Sequence, residues 1–92
     1  MAKEQRPPTP SSARVHQLLR TFICTELMGR PSYPLGDDEP LMSGGLIDSF
    51  SVARLGVFIE REFDRYIPDV DLTVENMDTL RRIVDMVVRY PG

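Results

Sequence analysis

The residue with the clearest chemical potential is Ser49, which follows Asp48 where a glycine-rich loop leads into an amphipathic helix. A helix N-terminus offers unpaired backbone N–H groups and the positive end of the helix dipole, so a phosphate esterified to a serine there is held favourably. Gly44 and Gly45 leave the approach uncluttered, and the Asp48 carboxylate is placed to meet a metal ion or a basic group of a modifying enzyme. Ser49 is therefore well placed for phosphodiester attachment.

Two other residues with reactive side chains, His16 and Cys24, are the only histidine and the only cysteine of the chain. A single cysteine excludes an internal disulfide and a cysteine-built zinc site, and we expect it to be buried as a small hydrophobe. We expect His16 on a helix surface, without a metal or catalytic role. Ser49 as an activated nucleophile would need a nearby base, and no spacing argument brings His16 to it.

The size and charge of the chain narrow the classes of function. Its 92 residues set an upper limit of one domain, which is too small to enclose a deep cavity and a multi-residue catalytic apparatus. The net charge of -3, with signs mixed along the chain, argues against nucleic-acid binding and favours a partner with a basic patch. No apolar run approaches the roughly 20 residues of a membrane span, and no secretory signal is visible. We therefore expect a cytoplasmic protein without a membrane partner.

The elements that must position Ser49 begin after a polar, proline-rich stretch. Residues 1–10 contain three prolines and almost no apolar residue, so they are predicted to be a flexible tail. Ser11 or Ser12 then caps a first helix, whose apolar positions follow helical spacing and which ends near Gly29. Residues 30–47 hold three prolines and three glycines without sustained periodicity, and are predicted to be a long loop.

Helical spacing returns after the loop. A second helix is predicted over 48–65, with Pro68 forcing its end, and a short helical turn precedes a last helix capped by Asp78 or Thr79. No segment shows the alternation of a strand. The sequence therefore predicts an all-α domain over 11–90, a small antiparallel bundle of three main helices plus one short helix.

An Asp-Ser pair before a helix is an ordinary N-cap, and local chemistry alone favours that capping role over attachment. The wider pattern is more specific, because from about residue 41 to 90, and more loosely through the first helix, the chain resembles the acyl carrier protein family. In that family a hydrophobic residue and an Asp-Ser-Leu-like triplet open the second helix, where residues 46–50 stand here with phenylalanine for leucine. Residues 59–64 are similar to the ending of the family's second helix, and residues 67–69 to the sharp exit after it. Residues 72–80 are similar to the short third helix and the start of the fourth. The spacing from Ser49 to Phe63 and Pro68 needs no gap.

The resemblance implies an acyl-carrier-protein-like fold in which Ser49, supported by Asp48, receives phosphopantetheine from coenzyme A through a separate phosphopantetheinyl transferase. The thiol of that arm then holds an acyl or aminoacyl group as a thioester, and the carrier itself catalyses nothing. A flexible arm raises the effective concentration of the cargo at each partner enzyme. We expect a free-standing, monomeric carrier served in trans by an acyl- or aminoacyl-loading ligase or transferase and by a downstream synthase.

Docking in this family uses the second helix, which makes Phe50, Val52 and Ala53 candidates for apolar contacts beside the arm. Arg54 is the nearby charge that would steer the encounter. No metal site is expected among these residues.

The charges of the second helix bear on the pathway, because this helix is strongly acidic in fatty-acid carriers. At the two early positions of this helix that are often acidic in fatty-acid carriers, this chain has Ser51 and Arg54. Further along, Arg61 interrupts the acidic run. We therefore expect a specialised, polyketide-like or nonribosomal-peptide-like pathway, with primary fatty-acid synthesis as the alternative. It is equally open whether the arginines merely pair with acidic neighbours on a solvated face. The candidate neighbours are Glu60, Glu62 and Asp64.

Other questions stay open at this level. The cargo, which the sequence does not identify, is a fatty acyl, malonyl-derived, aryl or aminoacyl group. Apolar residues near the arm either form a sleeve for the bound chain or simply belong to the core; they are Leu46, Ile47, Phe50, Phe58, Ile67, Val74 and Met77. The main alternative from another class is a helical interaction domain of the same fold that is never modified.

Overall fold

The computed structural model describes residues 11–90, so the predicted flexible tail lies outside the described residues. This part of the chain is helical and contains no strand. Its α-helices are α1 (Ser12–Phe22), α2 (Ser49–Phe63), α3 (Val74–Met77) and α4 (Leu80–Arg89). The predicted all-α class is confirmed, and three longer helices with one short helix are compatible with a small bundle. Across the described residues, no helix has the length and apolar character needed to cross a membrane.

A serine cap sets the start of the first helix, and a glycine stops the helical path at its other end. Ser11 caps α1, because its side chain accepts a hydrogen bond from the backbone N–H of Arg14 at 3.2 Å. Beyond Phe22 the chain continues as a wider π-helical turn over Ile23–Leu27. The helical path stops at Gly29, whose φ of 67° lies in the left-handed region that glycine adopts readily.

The second helix ends earlier than the sequence pattern predicts. It was expected to reach about Arg65 and to be stopped by Pro68, but α2 ends at Phe63. Asp64 takes the left-handed conformation, with φ 57° and ψ 40°, and its N–H donates to the carbonyl of Glu60 at 3.0 Å. The helix therefore terminates through an αL cap, and the proline is not the cause.

Threonine caps organise the last two helices. Thr73 caps α3 by accepting from the N–H of Asn76 at 3.3 Å, and Thr79 caps α4 by accepting from the N–H of Arg82 at 3.1 Å. A 3₁₀ turn over Asp69–Asp71 leads into α3. Of the two predicted caps for α4, the structure uses Thr79, which leaves the Asp78 side chain available for another contact.

The core draws residues from every α-helix and from the long loop, and α1 packs against α4. Its fully buried large side chains are Val15, Leu19, Ile23, Leu41, Leu55, Ile59, Met77, Leu80, Ile83 and Val87. Cys24 is buried as predicted, and this burial raises the pKa of its thiol. Burying this apolar area, at about 25 cal/mol per Å², supplies the main driving force for folding.

Helix α2 packs against the rest of the molecule through the ring of Phe58 and through a close approach of the chain at Gly56. The ring of Phe58 stacks on Phe22 with centroids 4.1 Å apart, and meets the ring of Phe63 edge-on at 6.0 Å. On another side of the helix, a Cβ added to Gly56 would lie 3.3 Å from Leu72 Cδ1. Glycine at this position allows the segment before α3 to approach α2 closely.

Candidate functional site at the start of α2

Ser49 is the first residue of α2 and its side chain is exposed. The residue before it, Asp48, occupies the N-cap position, with extended backbone angles and a carboxylate that accepts from the N–H of Ser51 at 2.9 Å. This bond, followed by a weaker contribution from the Ser51 side chain, holds the pKa of Asp48 below its ordinary value. Capping is therefore performed by Asp48, and the Ser49 hydroxyl is not required for it.

The backbone at this point meets the needs of a phosphate ester. The N–H of Ser51 is taken by the Asp48 carboxylate, and the N–H of Val52 by the Asp48 carbonyl at 3.1 Å. The N–H group of Ser49 precedes the first intrahelical bond and lies at the positive end of the helix dipole, whereas the N–H of Phe50 acts on the Asp48 carboxylate and helps to lower its pKa. An ester phosphate on Ser49 would lie at this positive end of α2, which favours a negative charge. The residues present thus fit a phosphodiester-linked group.

The two glycines of the preceding loop have different roles. Gly45 has a φ of 80°, which glycine adopts without steric cost, and a Cβ placed there would meet nothing within 4 Å. A Cβ on Gly44 would instead lie 2.3 Å from the carbonyl oxygen of Pro40. Gly44 therefore permits a tight chain crossing inside the loop, a role that the sequence pattern did not predict.

Asp78 fixes the loop that leads to Ser49, and the sequence analysis had considered it only as a helix cap. Its carboxylate accepts from the N–H of Met42 at 2.8 Å, and from the N–H and hydroxyl of Ser43 at 2.9 and 2.7 Å. Its carbonyl accepts from the N–H of Leu41 at 2.7 Å. The hydroxyl bond of Ser43, then the backbone bonds, hold the pKa of Asp78 below its ordinary value. No local sequence signal points to these contacts, since they join distant parts of the chain.

The earlier part of the loop is attached to α1 and α4 through charged groups. His16 Nε2 lies 2.6 Å from Asp37 Oδ1, and Arg81 makes a two-bond ion pair with Asp38 at 2.8 and 3.0 Å. The contact with His16 lowers the pKa of Asp37, and the contact with Arg81 lowers that of Asp38. His16 was predicted to lie on a helix surface; in the structure it is half-buried on α1 and in contact with Asp37.

The predicted docking residues do not all face outwards. Phe50 is 82% exposed, and Ala53 and Arg54 are exposed as well. Val52 is only 3% exposed and packs in the core, so its predicted role as a docking contact is corrected. Helical geometry explains this result, because Val52 lies on the same face as the buried Leu55.

The arginines of α2 lack the acidic partners considered in the sequence analysis. Ion pairs within 4.0 Å in the described residues join His16 to Asp37, Arg81 to Asp38, and Arg89 to Asp85. Neither Arg54 nor Arg61 takes part in one. Among residues 11–90, no cluster of three or more histidine, cysteine, aspartate or glutamate side chains is arranged to hold a metal ion.

The residues considered as a cargo sleeve divide between interior and surface. Ile47, Ile67 and Met77 are in the core, whereas Phe50 is 82% and Val74 is 48% exposed. The remaining two, Leu46 and Phe58, are partly buried against the core. The set does not line one shared interior surface.

Comparison with known proteins adds no relative: no protein-family model matches the chain, and no curated protein matches it significantly in sequence. The functional proposal therefore depends on the geometry around Ser49 and on the residue pattern that surrounds it.

Proposed function

We propose that this chain is a carrier protein whose Ser49 accepts a phosphopantetheine arm from coenzyme A and thereby carries an acyl or aminoacyl group. The observation that supports this most directly is the placement of Ser49, exposed at the first position of α2 while Asp48 satisfies the cap. A serine needed only for capping would have its hydroxyl directed at the backbone. Here the capping hydrogen bond is accepted by the neighbouring Asp48.

The attachment reaction uses a separate transferase. The Ser49 Oγ forms an ester bond to the phosphorus next to the pantetheine, the pyrophosphate bond of coenzyme A breaks, and adenosine 3′,5′-bisphosphate leaves. The serine proton passes to a base of the transferase. Once attached, the arm supplies a thiol that holds the cargo as a thioester.

The chain's own residues position this group and do not react further. The N–H group of Ser49 and the positive end of the α2 dipole stabilise the ester phosphate. Asp78 restrains the loop before the site through its bonds to Met42 and Ser43. A fixed attachment point with a flexible arm delivers cargo to several enzymes at high effective concentration.

Two arginines on α2 support a specialised pathway. Arg54 and Arg61 are exposed and without an ion pair in the described region, so they oppose docking on a uniformly basic surface. We therefore propose a loading ligase or transferase and a synthase of a polyketide-like or nonribosomal-peptide-like pathway as partners. A carrier for fatty-acid synthesis is the alternative within this class.

Mass spectrometry of the intact protein tests the attachment. The folded chain is incubated with coenzyme A, Mg²⁺ and a broad-specificity phosphopantetheinyl transferase, beside the variants Ser49→Ala and Ser51→Ala. We expect a gain of one phosphopantetheine in the unaltered chain and in Ser51→Ala, and none in Ser49→Ala. A folded sample that gains no mass would contradict the proposal.

A helical interaction domain that is never modified is a second candidate function. The observation in its favour is the exposure of large apolar side chains on α2, Phe50 at 82% and Val57 at 54%. Ser49→Ala separates the two candidates, because an unmodified interaction domain keeps its cellular function in that variant and a carrier loses it.

A further inference from the structure

The long loop before Ser49 is attached to the first turn of α4 through Arg81. The backbone N–H of Arg81 donates to the carbonyl of Asp37 at 3.0 Å, and its guanidinium donates to the carboxylate of Asp38 at 2.8 and 3.0 Å. The side chain of Asp37 meets α1 instead, where its Oδ1 lies 2.6 Å from His16 Nε2. Two consecutive loop residues are therefore bonded to two different helices.

A second attachment lies where the loop passes the junction between α3 and α4. The N–H of Leu41 donates to the carbonyl of Asp78 at 2.7 Å, next to the bonds that the Asp78 carboxylate accepts from Met42 and Ser43. The Leu41 side chain is fully buried in the core. Because Arg81 lies only three positions after Asp78, both attachments use the same short segment, residues 78–81.

Leu41 also connects this segment to the residues directly before the cap of α2. Its carbonyl accepts from the N–H of Leu46 at 2.8 Å and from the N–H of Ile47 at 3.0 Å. Ile47 is buried in the core, and the next residue, Asp48, is the N-cap of α2. A continuous hydrogen-bonded path therefore runs from Asp78 through the backbone of Leu41 to the start of α2.

The turn between Leu41 and Leu46 is tightly folded. The N–H of Gly45 donates to the carbonyl of Met42 at 3.1 Å, and a Cβ on Gly44 would clash with the carbonyl oxygen of Pro40. Such a turn has little slack to absorb a displacement at one of its ends. We call residues 37–47 the strap.

We propose that the strap and residues 78–81 open and close as one cooperative unit, which couples the α3–α4 junction energetically to the start of α2. A change that favours one arrangement of the junction then favours one arrangement before Ser49, and the reverse effect has the same size. The inference goes beyond the proposed function, because the coupling does not require Ser49 to be modified.

The strap is expected to open at a lower free energy than the helices. Two of its side chains, Leu41 and Ile47, are buried in the core, whereas most of its other residues are exposed or half-buried. Its attachments are largely hydrogen bonds that water can replace. Segments with few buried apolar contacts open before the whole domain unfolds.

Native-state hydrogen exchange tests whether the strap is one unit. Exchange is followed by ¹⁵N–¹H NMR at increasing urea concentrations below the unfolding transition, in the Ser49→Ala protein, which cannot carry an arm. The backbone N–H groups that report on the unit are those of Leu41, Met42, Ser43, Leu46, Ile47 and Arg81.

We expect the protection factors of these N–H groups to agree within about threefold and to fall with urea along one common slope. The N–H groups of Leu19 in α1 and Ile59 in α2 serve as the reference. They should be better protected and have a steeper slope, because global unfolding exposes more surface than opening of the strap.

Asp78→Ala perturbs the unit at the α3–α4 junction. The substitution removes the carboxylate that accepts from the N–H groups of Met42 and Ser43. We expect protection to fall by about 5- to 30-fold across the whole unit. The informative N–H groups are those of Leu46 and Arg81, because neither is bonded to the Asp78 side chain and both should lose as much protection as Met42.

Asp37→Ala perturbs the unit at its other end. It removes the contact with His16 and keeps the backbone carbonyl that accepts from Arg81. We expect protection to fall by a common factor of about two to five, as befits a partly exposed pair. Asp85→Ala is the matched control, because Asp85 lies on α4 and pairs with Arg89, and the unit should keep its protection within about 1.5-fold.

Three results would overturn the inference. Faster exchange of Met42 and Ser43 alone in Asp78→Ala would show that the strap does not open as a unit, and so would different urea slopes within the unit. A common slope equal to that of Leu19 and Ile59 would show that the strap opens only when the domain unfolds. If Asp78→Ala does not fold, the slopes and Asp37→Ala decide the question. Because Ser49→Ala is used throughout, no outcome depends on the carrier proposal.

Discussion

Asp78, at the junction between α3 and α4, is connected to the loop before Ser49, where its carboxylate accepts three hydrogen bonds. Two of the donors are backbone N–H groups, which lose their partner in the protein if the carboxylate is removed. A hydrogen bond to a charged group is worth about 1.5–3 kcal/mol when protected, and partial exposure reduces that value. The side chain therefore stabilises the local conformation of the loop more than the fold as a whole.

We predict that Asp78→Ala lowers the free energy of unfolding by about 1–2 kcal/mol and speeds amide exchange of Met42 and Ser43. Chemical denaturation and hydrogen exchange measure the two effects. Asp85→Ala is the matched control, because Asp85 lies on α4 in an exposed pair with Arg89 and its loss should change stability by less than about 0.5 kcal/mol. Unchanged exchange at Met42 in Asp78→Ala would show that the loop is held by other contacts.

Among the helices, the end of α2 departs from ordinary helix chemistry. The left-handed position after Phe63 is occupied by aspartate, whereas glycine adopts this conformation without steric cost. The chain therefore retains a small amount of strain at the point where α2 turns towards Ile67 and the core.

We predict that Asp64→Gly raises the free energy of unfolding by about 0.5–1 kcal/mol, because the strain is relieved while the capping bond from the backbone N–H is kept. Thermal and urea unfolding give the change. Asp64→Ala is the control, since it removes the same carboxylate but keeps a Cβ, and it should not be stabilising. Equal stabilisation in both variants would attribute the effect to lost charge and not to backbone conformation.

The elements themselves were predicted well where the signal is local. Cap residues and apolar spacing indicated the start of α2 at Asp48 or Ser49, and a cap for α4 at Asp78 or Thr79. The structure begins α2 at Ser49 and caps α4 with Thr79. The early end of α2 was missed because aspartate in a left-handed position carries no sequence signal as strong as glycine. Val52 was assigned to docking although its spacing with Leu55 already placed it on the buried face.

The contacts that prepare the site could not be read from the sequence. Asp78 reaches Ser43 across 35 positions of the chain, and His16 reaches Asp37 across 21. Local propensity and periodicity describe neighbours along a helix or strand, and do not specify which distant loop residue meets a given carboxylate. The position of Ser49 was predictable from local pattern, while the restraint on its loop was not.

At the scale of the whole molecule, several carboxyl groups link stability to pH in the same direction. In the folded state, the pKa values of four aspartates are lowered by hydrogen bonds from a neighbouring residue. Asp48 is bonded by Ser51, Asp78 by Ser43, Asp37 by His16 and Asp38 by Arg81. An unfolded aspartate titrates near pH 3.9, so the stabilisation is complete above that pH and is lost as the pH falls through the lower folded values.

We predict a free energy of unfolding that changes little between about pH 7 and 5 and then falls as the pH drops below about 4. Urea unfolding at a series of pH values measures the curve. Asp78→Asn should flatten the acid limb, because one of the linked carboxyl groups is gone, whereas Asp85→Asn should keep the slope of the unaltered chain. A steeper fall above pH 6 than below pH 4 would contradict this account.

The π-helical turn at Ile23–Leu27 has a consequence for how relatives of this chain are aligned. A turn of this kind accommodates one residue more than an α-helical turn, so it is the structural form of a single-residue insertion retained inside a helix. A chain one residue shorter between Phe22 and Gly29 would close the same path as ordinary α-helix. A relative that is α-helical throughout this segment would therefore align from Ser49 back to α1 only with a one-residue gap there, since without it the apolar residues of α1 fall out of register.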